Sequence, residues 1–321
     1  MPTLHADEPL RDCLRSLKAQ TIRDFDVIVV DNSGKRLVPQ DAATRVIYND
    51  HNAGFGAAVN QAIRASDTPF IATLNDDAVA HPQWLESLLS AIEQRYEIGM
   101  CASQVRLDAD HLDSAGMLIC RDGSSKQRGH LEPPSAYSRP QEVLLPSASA
   151  ALYRRDMLDE IGLFDEDFFL YCEDTDLGLR ARWAAWECRY VPDAVVEHRY
   201  SHSAGKASGL KAYYVERNRL YVIFKNFPLD SLLMVPFYAT ARYFWHAVYA
   251  LQGRGTAAHF GREGNSMSQL PWFVLRAHAE LARHAITIWR RRRTMKRRLT
   301  PQQFRKLLRF YSIGPKQVAA L

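Results

Sequence analysis

Three acidic clusters lie in the first two-thirds of the chain, at Asp31-Asn32, Asn75-Asp76-Asp77 and Glu173-Asp174, and each follows or interrupts a strand-like apolar run. The middle cluster comes directly after Pro69-Phe-Ile-Ala-Thr-Leu74. That is a short buried-strand pattern, so the carboxylates emerge at the carboxyl end of a strand, where open α/β sheets place their ligands. Two adjacent carboxylates there can hold a divalent cation and a ribose hydroxyl. A strand-ending acidic turn that also caps the helix beginning near Pro82 is the plainer reading of the same residues.

Glu173-Asp174 stands at the start of a helical pattern, where acidic side chains favour the positive end of the helix dipole. The same geometry gives a carboxylate a fixed direction, as a general base requires. His198 lies 24 residues after Asp174, just past the strand-like run Glu187 to Val196. A single histidine is ordinarily structural or solvent-facing, but imidazole beside a carboxylate is also a reasonable ligand set for Mn²⁺ or Mg²⁺. His202 is the alternative candidate.

The elements that must position these groups alternate. Leu10, Cys13, Leu14 and Leu17 recur at helical spacing, and Phe25-Asp-Val-Ile-Val-Val30 reads as a buried strand ending at Asp31. Val46-Ile-Tyr48 predicts a short strand, Ala57 to Ala65 a helix after a Gly-containing turn, Phe70 to Leu74 a strand, and Pro82 to about Arg95 a helix. This βαβ rhythm implies a mainly parallel sheet with helices on both faces. Periodicity weakens between 100 and 150, where Asp122-Gly-Ser-Ser-Lys and Glu132-Pro-Pro-Ser-Ala-Tyr-Ser-Arg-Pro140 read as loops near the site. Met157 to Ile161 predicts a short helix closed by Gly162, and Thr175 to Trp186 a longer one.

With 321 residues, 47% of them hydrophobic, the chain can bury a sizeable core and divides into one large domain and an appendage. The five cysteines, without CxxC spacing and odd in number, argue against a disulfide framework or zinc ribbon and suggest a reducing cytoplasm. No charged-then-apolar leader opens the sequence, so no secretory signal is expected. Charge is unevenly distributed: residues 210–321 hold 20 Lys+Arg against 4 Asp+Glu, net +16, and residues 1–209 are net −11. The acidic part suits a metal-assisted site, and the basic part a polyanionic surface such as anionic lipid or nucleic acid. Asp230 to Leu251 is rich in Leu, Phe, Tyr and Trp but interrupted by Pro236, Arg242 and His246. It predicts interfacial or core-packed helices rather than a membrane span. Seven basic residues then fall within Arg290 to Arg298.

Taken in order, Val30-Asp31-Asn32-Ser33, Asn49-Asp-His-Asn52-Ala-Gly54-Phe55-Gly56-Ala-Ala-Val-Asn60, Leu74-Asn75-Asp76-Asp77, Gly162-Leu-Phe164-Asp165-Glu-Asp-Phe168-Phe169, Tyr171-Cys-Glu173-Asp174-Thr-Asp176-Leu-Gly-Leu-Arg180 and Glu197-His198 resemble family-2 glycosyltransferases. Within that family they look most like bacterial rhamnosyltransferase-type members that build cell-surface glycans. The resemblance covers roughly residues 2–228. It implies a GT-A fold, inversion at the anomeric carbon, a nucleoside-diphosphate sugar donor, and Mg²⁺ or Mn²⁺. By the same resemblance Thr3, Asp31, Asn52, Gly54, Asn60 and Asp76 serve nucleotide binding, with Asp31 on the base and Asp76 on the ribose. Asp77 and His198 serve the metal, Asp174 is the general base, and Glu173 orients the site. An Asx-turn remains the alternative for Asp31, and ordinary loop-to-helix geometry for residues 52 to 60.

One departure concerns the opening. Members of the family begin with a hydrophobic strand running into a Pro-Thr-like turn, whereas this sequence starts at Met1-Pro2-Thr3. The expectation is that in-frame upstream codons encode a short apolar run completing a central strand. The reading is therefore a catalytic domain over 1–209 and a helical, basic, membrane-associating region over 210–321. The protein would lie on the cytoplasmic face of the cell membrane and pass a sugar, rhamnose from dTDP-rhamnose as one possibility, to a lipid-linked or growing glycan. A non-catalytic nucleotide- or glycan-binding remnant is the alternative. Nucleic-acid binding through Arg290 to Arg298 lacks a recognition fold or stacking platform and is not expected.

Overall fold

The computed structural model describes residues 1–40, 44–198 and 208–320. Among the described residues twelve strands form three sheets. β1 (Pro2–Thr3), β2 (Ile28–Asp31) and β3 (Arg45–Tyr48) pair parallel in that order, with Thr3 opposite Asp31. The main sheet contains β4 (Phe70–Leu74), β5 (Ala78–Ala80), β6 (Ile98–Arg106), β7 (Leu112–Ser114), β10 (Gln141–Val143), β11 (Ala150–Arg154) and β12 (Glu187–His198). Its central order is β10-β12-β6-β11-β4, and β8 (Met117–Ile119) with β9 (Ser125–Gln127) forms a separate hairpin.

Among the described strands, parallel pairing joins β1–β2–β3 and β6–β12, while β11 runs antiparallel to both β4 and β6. The sheet is thus mixed rather than mainly parallel. The reason is β6, which the sequence reading left inside a loop-like region. Ile98-Gly-Met-Cys-Ala-Ser-Gln-Val-Arg106 is buried along almost its whole length, so it shows no polar alternation, and its small residues give it no strong apolar run. β1 adjoins β2 on one side and is linked on the other to the end of β4, where Thr3 Oγ1 lies 2.6 Å from Asp76 Oδ2.

Side chains alternate across this sheet into two cores. Met100, Ala102, Ala151 and Tyr153 face α2 (Phe55–Arg64), α4 (Arg155–Ile161) and α5 (Glu173–Trp183). Cys101, Val105, Ala150 and Leu152 face α1 (Glu8–Lys18) and α3 (Trp84–Ile92). The arrangement is a three-layer α/β body with a helical layer on each face.

The sequence changes character near residue 209, yet the packing is continuous. α6 (Gly209–Asn226) is buried over most of its length, and a third core joins it to β8, α5, α9 (Gln269–Thr294) and α10 (Pro301–Phe310). α7 (Val235–Leu251), α8 (Gly255–Arg262) and α11 (Pro315–Ala320) complete the helical region. Among the described residues no helix is long and apolar enough to cross a membrane. Part of the basic run at 290–298 is tied to the body of the protein, although of its seven cations only Arg292 is buried and Arg291 half-buried. Arg292 donates to the carbonyls of Phe224, Lys225 and Phe227, Arg291 pairs with Asp165 and Asp167, and Arg298 pairs with Glu160.

The junction rests on one carboxylate. Asp176, fully buried in the first turn of α5, accepts from Arg180 Nε at 2.8 Å, Lys225 Nζ at 2.8 Å and Asn226 Nδ2 at 2.8 Å. Lys225 also meets Asp165. These pairs hold Asp176 well below the ordinary carboxylate range against the cost of burial. Asp176→Ala leaves Lys225 and Arg180 buried without their shared anion, so the unfolding free energy in urea should drop by about 3–5 kcal/mol. A loss below about 1 kcal/mol would mean that the pairs contribute no more than surface ones do.

Candidate active site

β4 and β12 bring the first constellation together. β4 ends at Leu74 and delivers Asn75, Asp76 and Asp77, while the last residue of β12, His198, pairs with Ala78 of β5. His198 Nε2 consequently lies 3.1 Å from Asp77 Oδ1 and 3.2 Å from Asn75 Nδ2. Its other nitrogen, Nδ1, lies 3.2 Å from Asp113 Oδ2, and Asp113 in turn meets His130 at 3.3 Å. Burial alone would lower the His198 pKa, but the hydrogen bonds and charges of Asp113 and Asp77 override it and raise the imidazole to about 10. Burial would raise Asp113, yet its two histidines bring it down to about 2. Burial raises Asp76, with the neighbouring Asp77 charge adding to it against the Thr3 hydrogen bond.

A divalent cation could enter between Asp77 and His198 only by displacing the proton that the imidazole shares with that carboxylate. Two adjacent ligands of an octahedral Mg²⁺ with bonds of about 2.1 Å stand about 3 Å apart, close to the Asp77–His198 separation. Among the described residues no group of three His, Cys, Asp or Glu side chains forms a complete metal site. A pair of protein ligands is what Mg²⁺-type sites use when substrate phosphates and water supply the other positions. Asp113 orients the imidazole through its far nitrogen, as carboxylates behind metal-bound histidines do. His202 lies outside the described residues.

The second constellation is a knitted loop. Asn32 Oδ1 accepts from Asn49 Nδ2 and Ala53 N, and Asn32 Nδ2 donates to Asn52 Oδ1 at 2.9 Å; Asn52 Oδ1 also accepts from Gly54 N. Gly54 has φ 89°, and a Cβ there would stand 2.5 Å from the Phe169 carbonyl oxygen. Only glycine suits this position. Phe55 N donates to that same oxygen at 2.7 Å, so the loop before α2 is seated directly on the turn before α5.

Two residues assigned to the nucleotide have their polar atoms engaged inside the protein. Asp31 forms the Asx-turn, accepting from Ser33 N and Oγ and from Val38 N, and is almost wholly buried. Asn60 is buried in α2 and joins it to Phe164 and Glu166. Thr3, Asn52, Gly54 and Asp76 border the strand ends.

The third constellation is the start of α5. Glu173 and Asp174 are its first two residues rather than its cap, which is Cys172 in a left-handed conformation. Phe169, Tyr171 and Cys172 all have φ between 61° and 69°, a costly run for residues with side chains. α6 holds that run in place. Asn218 Nδ2 lies within 2.6–2.8 Å of the carbonyls of Phe168, Leu170 and Tyr171, Arg217 donates to those of Asp167 and Phe168, and Tyr214 stacks on Phe169. Asp174 Oδ1 accepts from Thr175 N at 2.6 Å and Oδ2 from Ala148 N at 3.2 Å. The segment carrying Ala148 also ties to the Asp77–His198 constellation, since Ser149 O accepts from Asn75 N at 2.8 Å.

Asp174 is partly exposed whereas Glu173 is buried, with Oε2 lacking a hydrogen-bond partner. Burial, then the Asp174 charge, pushes Glu173 up to about 8, and burial raises Asp174 as well. Of the two, Asp174 has the hydrogen-bond donors that favour a charged carboxylate, whereas Glu173 Oε2 has none.

Sequence reasoning missed Asp113, His130, Arg217 and Asn218. The first two arise from short strands and turns in the stretch read as loop. The available signal for the others was Glu216-Arg217-Asn218-Arg219, four consecutive polar residues between the apolar runs Ala212 to Val215 and Leu220 to Phe224.

A mixed α/β body with paired carboxylates at a strand end and another pair at a helix start is a GT-A fold. Its fold is similar to that of a solved structure described as GalNAc-T7 with UDP, GalNAc and Mn²⁺, at a TM-score of 0.54 and 12% identity, covering 85% of this chain and 54% of that one. Residues 1–162 match the model of Glycosyl transferase family 2, and the chain belongs to that family. It is 31% identical over 232 residues to the N-acetylglucosaminyl-diphospho-decaprenol L-rhamnosyltransferase of Mycobacterium tuberculosis, covering 63% of this chain and 76% of the relative. It is 28% identical over 187 residues to the O-antigen biosynthesis protein RfbC of Myxococcus xanthus, covering 53% of this chain and 15% of that protein.

Two expectations follow from the site. Asp113→Asn keeps the size of the side chain but removes the charge behind His198, so Mn²⁺ affinity measured by calorimetry with nucleoside diphosphate should weaken about 10- to 100-fold. Unchanged affinity would limit Asp113 to packing. For Glu173, a raised folded-state pKa means that the folded protein keeps a proton the unfolded chain releases above its ordinary value of 4.5. Its contribution is therefore fully present below pH 4.5 and is lost as pH rises through about 8. Glu173→Gln should flatten this decline in thermal melts between those limits, and a variant that declines as steeply as the parent would place the titration elsewhere.

Proposed function

We propose that this chain is a metal-dependent inverting hexosyltransferase that moves a sugar from a nucleoside-diphosphate donor to a lipid-linked or growing cell-surface glycan. Rhamnose from dTDP-rhamnose is the donor proposed first, because the Mycobacterium tuberculosis relative is named as an L-rhamnosyltransferase acting on N-acetylglucosaminyl-diphospho-decaprenol. The observation that carries the reading is Asp174. Its carboxylate is aimed by Ala148 and Thr175, stays partly exposed, and is linked through the 147–149 segment to the Asp77–His198 pair.

In this reading Asp174 accepts the proton of the acceptor hydroxyl as its oxygen attacks the anomeric carbon from the face opposite the diphosphate. The bond from that carbon to the diphosphate oxygen breaks with its electrons going to the leaving group, and inversion follows. Asp77 and His198 would hold Mg²⁺ or Mn²⁺, which when bound supplies charge neutralisation for the departing diphosphate. Mn²⁺ is present in the GalNAc-T7 structure of similar fold. Asp76 with Thr3 takes the ribose, and the Asn52–Gly54 loop takes the nucleotide. Asp31 shapes the base pocket through its Asx-turn. Glu173, holding its proton, keeps a second negative charge away from the attacking oxygen.

The helical region 210–321 is assigned to docking on the cytoplasmic face of the membrane, where a lipid-linked acceptor resides. Exposed Leu233, Phe237, Phe244 and Leu251 supply apolar contact, and the exposed Arg290, Arg293 and Lys296 supply charge.

Asp174→Asn retains the helix start but cannot accept the proton, so turnover with dTDP-rhamnose and a polyprenyl-diphosphate acceptor should fall at least about 10²-fold while donor affinity is kept. Near-parental turnover by the folded variant would reduce Asp174 to a helix-start residue. Absence of any nucleotide-sugar turnover in the parent protein would favour a non-catalytic remnant of the fold.

A further inference from the structure

A cavity of about 450 Å³ opens at the opposite end of α5 from the candidate base. Trp183, nine positions beyond Asp174 on the same helix, forms part of its wall, which places it about 14 Å along the helix axis from the base. Four arginines, Arg292, Arg293, Arg297 and Arg305, converge on it from the end of α9, the following loop and α10, and Trp289 lines another side.

Its charge is unbalanced. Asp230 lines the cavity too and pairs with Arg305, which leaves the other three guanidinium groups without a carboxylate among the described residues. Arg292 is fixed by the carbonyls of Phe224, Lys225 and Phe227. Arg297 donates to the Arg292 carbonyl and lies 5.2 Å from the centre of the Trp183 ring. Arg293 is exposed and pairs with nothing described. Burial and the adjacent Arg297 charge lower the Arg292 pKa to about 10, the direction expected where positive groups are gathered without an anion.

The rim is apolar. The turn Leu229–Met234 starts at the cavity wall and leads into α7, presenting Leu229, Leu233, Met234 and Phe237, all exposed and Leu233 at 76%. Guanidinium forks match phosphate oxygens, and exposed apolar side chains beside them match the hydrocarbon that a lipid phosphate carries. A free phosphate would leave the rim unexplained. A nucleic acid would want a row of open aromatic faces, whereas Trp183 is only 2% exposed and stacked on Phe304, and the single more open ring, Trp289, already packs against Phe224 and Arg292.

We propose that this pocket is a binding site for the phosphate headgroup of an anionic lipid, with Leu229, Leu233, Met234 and Phe237 entering the acyl boundary beside it. The site deepens the membrane docking proposed above, and it depends on no step of glycosyl transfer. None of its residues belongs to the catalytic or nucleotide machinery. Binding there would fix the catalytic face at a set height and tilt relative to the bilayer, which nonspecific charge attraction does not do.

The test uses the full chain and sedimentation with phosphatidylcholine vesicles with and without phosphatidylglycerol. Arg293→Glu, alone and combined with Arg297→Gln, should lower affinity for the phosphatidylglycerol vesicles at least about tenfold. Leu233→Ser with Phe237→Ser should weaken binding to the same vesicles while leaving melting temperature and transfer to a short-chain soluble acceptor intact. Arg290→Glu on the same helix end, outside the cavity, should have much less effect than Arg293→Glu; equal losses would show a diffuse charge effect and overturn the pocket. Inorganic phosphate or a single-stranded oligonucleotide that binds as tightly as the vesicles would replace the lipid as ligand. Unchanged vesicle affinity in the folded Arg293→Glu protein would also sink the proposal, whatever the transferase activity proves to be.

Discussion

The turn from Phe168 to Cys172 is the constraint on which the candidate site depends. Three of its five residues have left-handed backbone conformations without being glycine, so the turn is not one the local sequence would choose. It persists because α6 supplies donors to its carbonyls through Arg217 and Asn218, and because Phe169 is stacked against Tyr214. The result is directional. Asp174 enters α5 with its carboxylate toward Ala148, and the Phe169 carbonyl is left facing outward to receive Phe55 N and to leave room only for glycine at position 54. The loop assigned to the nucleotide and the base assigned to the acceptor are therefore set by one backbone feature.

This coupling changes the meaning of the helical C-terminal region. A division near residue 209 follows the composition, yet the groups that stabilise the turn come from beyond it, and so do Lys225 and Asn226, which neutralise Asp176. A catalytic domain truncated at 209 would keep the aspartates and lose the elements that aim one of them. Buried ion networks of this kind add little net stability compared with apolar packing, but they penalise any arrangement in which a member is left unpaired. Asp176 and Asp165, held by Lys225 and reached by Arg180 and Arg291 respectively, thus restrict how α5, α6 and α9 can sit together.

What could be read from the sequence followed element periodicity and compact motifs. Asp76-Asp77 after Phe70–Leu74, Glu173-Asp174 at a helix start and His198 at the end of a long strand all lie within a few residues of where their patterns place them. β6 was invisible because a strand buried on both faces loses alternation, and Gly99, Ala102, Ser103 and Gln104 dilute its apolar content. Asp113 was hidden for a different reason. Its partners are 17 and 85 residues away in sequence, so nothing local distinguishes it from the other acidic residues in a loop-rich stretch. The Asx-turn at Asp31 was legible as an alternative, because aspartate two residues before serine at a strand end favours it.

The separation of charge between the two halves has an internal explanation before an external one. A front part at −11 and a tail at +16 would attract each other in any compact arrangement, and the contacts show where they do. Asp122 meets Arg242 and Arg219, Asp165 and Asp167 meet Arg291, Asp176 meets Lys225, and Glu160 meets Arg298. Arg219, Lys225, Arg242, Arg291 and Arg298 of the basic tail thus serve as counter-charge to the acidic body, and a count of seven cations in Arg290 to Arg298 overstates what is unpaired. Arg291 and Arg298 pair with carboxylates, and Arg292 and Arg297 bind backbone carbonyls. The charges left unpaired are fewer, but they stand on a frame held rigid by the others. That is why placement of the charge, more than its amount, decides what this face can recognise.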